Sequence, residues 1–162
     1  MKDLKIEFKW ALIFVVMMLL WMVFEKLAGF HDVNIDKHAV ITNFVAIPAV
    51  AVYVFALLDK KKNFYNGNMS YKQGFICGLI ITIIVTVISP LSQYIINTFI
   101  TPDYFTNISA YAVNEGKMTQ EEAEKFFNLN SYIVQGLVGA FIMGIITSAI
   151  VAFFTKSKNP TT

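Results

Sequence analysis

Residues 70–103, SYKQGFICGLIITIIVTVISPLSQYIINTFITPD, decide the fold. From Phe75 to Ile100 no side chain is charged. At 1.5 Å per residue that run makes about 39 Å of helix, more than the roughly 30 Å hydrocarbon core of a bilayer requires. The stretch reads as a transmembrane helix, tilted or bent. Pro90 supplies the bend, because it offers no N–H to the Thr86 carbonyl and its ring crowds that oxygen. Gly74, Gly78, Thr82 and Thr86 recur every fourth residue and form one strip of small side chains on which a second helix approaches closely. Beyond the proline the strip turns polar with Gln93 and Asn97, amides that hydrocarbon would leave without partners. Two readings stand for this inner face: helix packing, or a polar path or ligand face walled by Thr86, Gln93 and Asn97.

The rest of the chain has the same character. Its 162 residues suit one domain, 1–162, and 56% apolar content with a mean hydropathy of +0.58 places it in the membrane class rather than among soluble enzymes. All 13 basic residues are lysine. Arginine, the usual bidentate phosphate binder, is missing, so nucleic-acid binding has no support. Cys77 lies within the third apolar run and reads as a packing residue; alone, it forms no internal disulfide.

Four spans are expected, at about 10–30, 40–58, 75–100 and 132–154. The basic start and apolar run 10–24 imitate a secretory signal, but Glu25 and Lys26 stand where a cleavage site would be, so an uncleaved first helix is expected. Glu25 falls near the far end of that helix. It reads either as an interfacial carboxylate reaching water or a lysine, or as an intramembrane proton or cation site. The connection 31–38 holds His31, Asp32, Asp36 and His38. It has no recognised metal-ligand spacing and is expected to be solvated, with Asn34 or Asp36 capping the next helix. Pro48 should kink the second span, and Asn43 sits one turn earlier.

Lysines set the orientation. Nine (2, 5, 9, 60, 61, 62, 72, 156 and 158) fall on one side and four (26, 37, 117 and 125) on the other, which predicts both termini in the cytoplasm. Asn66, Gly67 and Asn68 mark a turn. The segment 101–131 is too polar to cross. It reads as two short helices, the first stopped by Gly116 and the second opened by a Thr119/Glu122 capping box. They are expected on the outer membrane surface, with a lid over the bundle as the alternative. In the fourth span Gly136, Ala140, Gly144 and Ser148 make a second small-residue stripe, suited to pairing with the third span or with another copy of the chain.

Tyr71-Lys72-Gln73-Gly74-Phe75 at the entry to the third span and Ile100-Thr101-Pro102-Asp103-Tyr104 at its exit resemble the pattern of domain of unknown function 4199. This is a bacterial family of small four-helix membrane proteins, and the likeness extends over about residues 5–154. The glycines common in that family's first helix are absent from 9–24. The resemblance implies a bacterial inner-membrane protein of no established activity and carries over no catalytic residues.

The expectation is therefore an all-α integral membrane bundle of four transmembrane helices, with a short helical external segment between helices three and four. No serine elbow, recognised zinc pair or phosphate loop is present, and no cofactor is implied. Catalysis would need Glu25, His31, Asp32, Asp36, His38 and Asp103 to meet at the outer face, where each also passes for an ordinary loop residue. A non-enzymatic scaffold or accessory subunit is the first reading, its partners being the lipid bilayer and a second copy or another membrane protein. A small oligomeric transporter or channel, using Glu25, Thr86, Gln93 and Asn97, is the alternative.

Overall fold

The computed structural model describes residues 4–158, which form seven α-helices. They are α1 (Lys5–Leu27), α2 (Ile35–Ile41), α3 (Ala46–Asn63), α4 (Tyr71–Ile95), α5 (Tyr104–Asn114), α6 (Gln120–Phe126) and α7 (Leu129–Thr155). A 3₁₀ turn, Thr42–Val45, joins α2 to α3, and a π turn, Ile96–Ile100, extends α4. Four helical runs are long and apolar enough to cross a membrane: Lys5–Leu27, Ile35–Asn63, Tyr71–Ile100 and Leu129–Thr155. The chain is a multi-pass membrane protein. Large apolar side chains such as Leu20, Val87, Met143 and Phe153 are more than half exposed, as suits a surface solvated by acyl chains.

The spans start and stop where polar groups find partners. The first begins at Lys5 rather than Trp10, because Glu7 is drawn in by Lys60, whose Nζ lies 3.0 Å from Oε1. It ends at Leu27, short of residue 30, where Gly29 takes φ +77°. The second span begins at Ile35, before the expected residue 40. Pro48 sits in the first turn of α3, directly after the 3₁₀ turn, where its missing N–H costs least. α4 runs unbroken through Pro90, because the Ser89 hydroxyl donates to the Thr86 carbonyl at 2.9 Å, replacing the bond that Pro90 cannot make. The departure from regular winding comes later, in the π turn, where the Thr101 amide bonds the Ile96 carbonyl.

α4 and α7 form the closest pair and run antiparallel. A Cβ on Gly144 would stand 2.4 Å from Thr82 Cγ2, and one on Gly78 would stand 2.7 Å from Ser148 Cβ. Gly74 faces Ala152 in the same way, at 3.3 Å. The small-residue stripes are therefore used against each other within one chain. Thr82 anchors the contact: its hydroxyl lies 2.8 Å from the Tyr53 hydroxyl on α3 and 3.4 Å from that of Ser148. Gly136 lies against Gln93, and Gly139 faces open space.

One end of the bundle carries most of the lysines. There the Ser157 amide bonds the Met69 carbonyl at 2.8 Å, and Lys61 Nζ donates to the Thr155 carbonyl at 2.9 Å. At the opposite, capped end α5 sits over the 28–38 connection, with the Asn107 amide donating to the His31 carbonyl at 2.9 Å. Gly116, at φ +66°, follows the end of α5. The Thr119/Glu122 box opens α6, the Thr119 amide bonding Glu122 Oε2 at 2.8 Å.

Candidate functional site

Glu25, in the last turn of α1, is fully buried. Two residues after it the helix stops. Gly29 allows the reversal that follows, since φ +77° is strained for a residue with a Cβ. The Phe30 amide bonds the Glu25 carbonyl at 2.9 Å, and the Asn34 amide bonds the Gly29 carbonyl at 2.8 Å. This fold-back lays His31 against Glu25, and the last turn of α2 brings in His38.

Glu25 Oε2 lies 3.1 Å from His31 Nε2 and 3.4 Å from His38 Nδ1. Its other oxygen accepts from Trp21 Nε1 at 2.5 Å. On the far side of His38, Nε2 lies 3.0 Å from the Tyr104 hydroxyl, which is in turn 3.3 Å from that of Tyr132. The rings of His31, His38 and Tyr104 form a triangle of edge contacts with centroids 5.1 to 5.2 Å apart. Burial first, then the neighbouring Tyr132, pushes the Tyr104 hydroxyl above its ordinary pKa, so it stays protonated and able to donate. One carboxylate oxygen and two imidazole nitrogens thus converge, a set chemically able to share a proton or to hold a cation.

Solvation describes Asp32, Asp36 and Lys37, which are exposed, but not His31, which is 3% exposed. Asp103 is also exposed and outside the cluster. Asn34 precedes α2 without capping it through its side chain, which donates instead to the Ala28 carbonyl. Glu25 is fully buried, and among the described residues its carboxylate meets Trp21, His31 and His38 rather than a lysine.

A second feature is a cleft of about 430 Å³ between α1, α3, α4 and α7, within the range of small-molecule sites. Its apolar walls include Phe14, Met18, Val50, Tyr53, Val85 and Met143. Toward the capped end the lining turns polar, with Thr42, Asn43, Ser92 and Gln93. Of the polar face expected on the third span, Gln93 lines this cleft, while Asn97 folds back onto its own helix, its Nδ2 donating to the Gln93 carbonyl at 2.9 Å. The Thr86 hydroxyl is buried with no hydrogen-bond partner among the described residues. Glu25 is not among the residues that line the cleft, whereas Thr42, in the 3₁₀ turn after α2, is.

The family described as "Protein of unknown function (DUF4199)" matches residues 9–157. The chain belongs to this family. No curated protein matches it, and no solved structure does. The DUF4199 match takes in all of the cluster and the whole lining of the cleft.

A third arrangement of this DUF4199 chain lies at the lysine-rich end and escaped the sequence reading. Glu7 and Lys60, 2% and 4% exposed, pair at 3.0 Å, and Lys60 Nζ also sits 3.7 Å above the Phe64 ring. Lys9 joins Asp59, which also accepts from Trp10 Nε1 at 2.6 Å. The lysine cluster therefore fastens α1, α3 and α7 together, leaving Lys62 exposed. The signal available was Glu7, an acid inside a basic segment.

Proposed function

We propose that this chain is a non-enzymatic accessory protein of a bacterial inner membrane, with both termini cytoplasmic, whose working part is the cleft between α1, α3, α4 and α7. The cleft holds one amphiphile, with its chain toward the middle of the bilayer and its polar group toward the capped end. The observation that carries this reading is the gradient of the lining, from Phe14, Val50, Tyr53 and Met143 to Thr42, Asn43 and Gln93. A lipid-soluble ligand pairs with such a gradient, since its apolar part gains little from leaving lipid and its polar part gains hydrogen bonds. The nine-to-four lysine count supports the orientation. The partner is a second copy or another membrane protein, met through the apolar outer faces, because both small-residue stripes are already occupied.

Gly139 provides the test. It lines the cleft, and a Cβ there meets nothing within 4 Å, so Gly139→Phe adds a ring at the cleft wall with no clash at its Cβ. A fluorescent lysophospholipid should bind delipidated wild-type protein saturably and bind the variant at least about tenfold more weakly. Equal binding by both counts against the cleft.

The transporter reading keeps one favourable observation, the polar Ser89, Ser92 and Gln93 facing the cleft. It loses support from Asn97, which is turned back onto α4. Solute flux in liposomes that disappears in Gln93→Ala would favour it over simple binding.

A further inference from the structure

We propose that Glu25, His31 and His38 form a binding site for a divalent transition-metal ion of the zinc class. This inference is independent of what the cleft holds.

The donor set is one carboxylate oxygen and two imidazole nitrogens, and one such atom from each residue lies within 4.8 Å of the other two. That chemistry suits zinc and its neighbours rather than calcium or magnesium, which take oxygen ligands. With metal–ligand bonds of 2.0–2.1 Å, donors at adjacent corners of a tetrahedron stand about 3.3 Å apart. The Glu25 Oε2 distances, 3.1 Å to His31 Nε2 and 3.4 Å to His38 Nδ1, bracket that edge. The third edge closes as an ion draws the two rings together.

The surroundings fit as well. His38 Nδ1 faces the carboxylate without hydrogen bonding to it, and it has no other partner among the described residues. The opposite nitrogen, Nε2, is held by the Tyr104 hydroxyl at 3.0 Å, and the non-ligating Glu25 oxygen is held by Trp21 at 2.5 Å. Outer partners of this kind fix the tautomer of a ligating imidazole and the orientation of a ligating carboxylate. Deep burial argues the same way. Glu25 and His31 are shut off from solvent, and an ion takes one lone pair from each of the three residues. Three protein ligands leave a fourth position open. Glu25 sits at the end of α1, before the reversal at Gly29, and His31 and His38 lie after it. An ion would therefore lock the capped end.

Full-length protein, purified in mild detergent without a polyhistidine tag and stripped with chelator, is titrated with Zn²⁺ and with Co²⁺. Wild type should take one ion per chain, and Co²⁺ should give the intense visible absorption of a four-coordinate site, displaced by Zn²⁺. His31→Ala and His38→Ala should each weaken Zn²⁺ binding at least about 100-fold, and Tyr104→Phe about tenfold, the range of an outer-partner loss. The Asp32→Asn/Asp36→Asn double variant should bind as wild type does. Absence of a stoichiometric ion and of the Co²⁺ bands in the wild type overturns the proposal without reliance on any variant's folding. So does affinity that survives the His31→Ala/His38→Ala double change or falls with the two aspartates.

Discussion

Glu25 Oε2 stands 3.1 Å from His31 Nε2, so the last turn of α1 is tied to a residue in the connection that leaves it. The carboxylate also takes the Trp21 indole N–H, and Glu25 and His31 are shielded from solvent. Hydrogen bonds to a charged group are worth about 1.5–3 kcal/mol each, and a neutral amide keeps only part of that. Glu25→Gln should therefore lower stability by about 2 kcal/mol, read as an earlier unfolding transition in mild detergent. A transition that coincides with wild type would mean that the carboxylate is not what holds this end together.

Gly144 and Gly139 give opposite expectations from the same substitution. At Gly144 an added methyl falls 2.4 Å from Thr82 Cγ2, so α4 and α7 must part, at about 1–3 kcal/mol. At Gly139 it enters open space, and the gain in helix propensity leaves stability unchanged or up by about 0.5 kcal/mol. Thermal unfolding of Gly144→Ala and Gly139→Ala side by side checks the α4–α7 contact, which fails as described if the two variants behave alike.

Ser89 and Pro90 should be energetically coupled. The Ser89 hydroxyl serves the Thr86 carbonyl because Pro90 has no N–H to give it. Ser89→Ala should cost about 1 kcal/mol in the native sequence and almost nothing beside Pro90→Ala, where the restored amide takes the bond. A double-mutant cycle with no interaction energy would contradict this account of how α4 passes the proline.

The outer segment offers a pH test. The Glu122 carboxyl is held below the usual carboxylate range, first by the Thr119 backbone N–H and second by the Thr119 hydroxyl. A carboxylate depressed in the folded state supports that state above its unfolded pKa and ceases to do so as pH falls through the lowered folded value. The Thr119 amide resonance should therefore titrate with a midpoint below about 4.3, the ordinary glutamate value. Glu122→Gln should keep α6 capped and abolish the titration. A midpoint at or above the ordinary value would show that the box does not favour the ionised form.

Much of this architecture is legible in the sequence because its causes are local or periodic. Uncharged runs mark the spans, the four-residue spacing of Gly74, Gly78 and Thr82 marks a packing face, and Thr119 with Glu122 marks a helix start. Gly116 and the Asn66-Gly67 pair, all at positive φ, are legible for the same reason. The Glu25–His31–His38 cluster follows no period. It depends on where α1 stops and on the reversal at Gly29, so separations of six and seven residues become contacts only once the chain turns back. Helix ends are the least determined part of a hydropathy pattern, since one polar residue moves in or out according to a distant partner. Glu7 shows this: Lys60, more than fifty residues on, draws it inside and starts α1 early. The cleft was equally hidden, because its lining comes from four helices whose relative rotation no single helix specifies.

The cleft's role as an amphiphile site is the central claim, and native mass spectrometry of the untreated protein, released from its own membranes in mild detergent, tests it most directly. The account predicts one retained amphiphile per chain, persisting at collision energies that strip detergent, and its loss from Gly139→Phe prepared in the same way. A wild-type chain that emerges bare, or a variant that carries the same amphiphile, would contradict it.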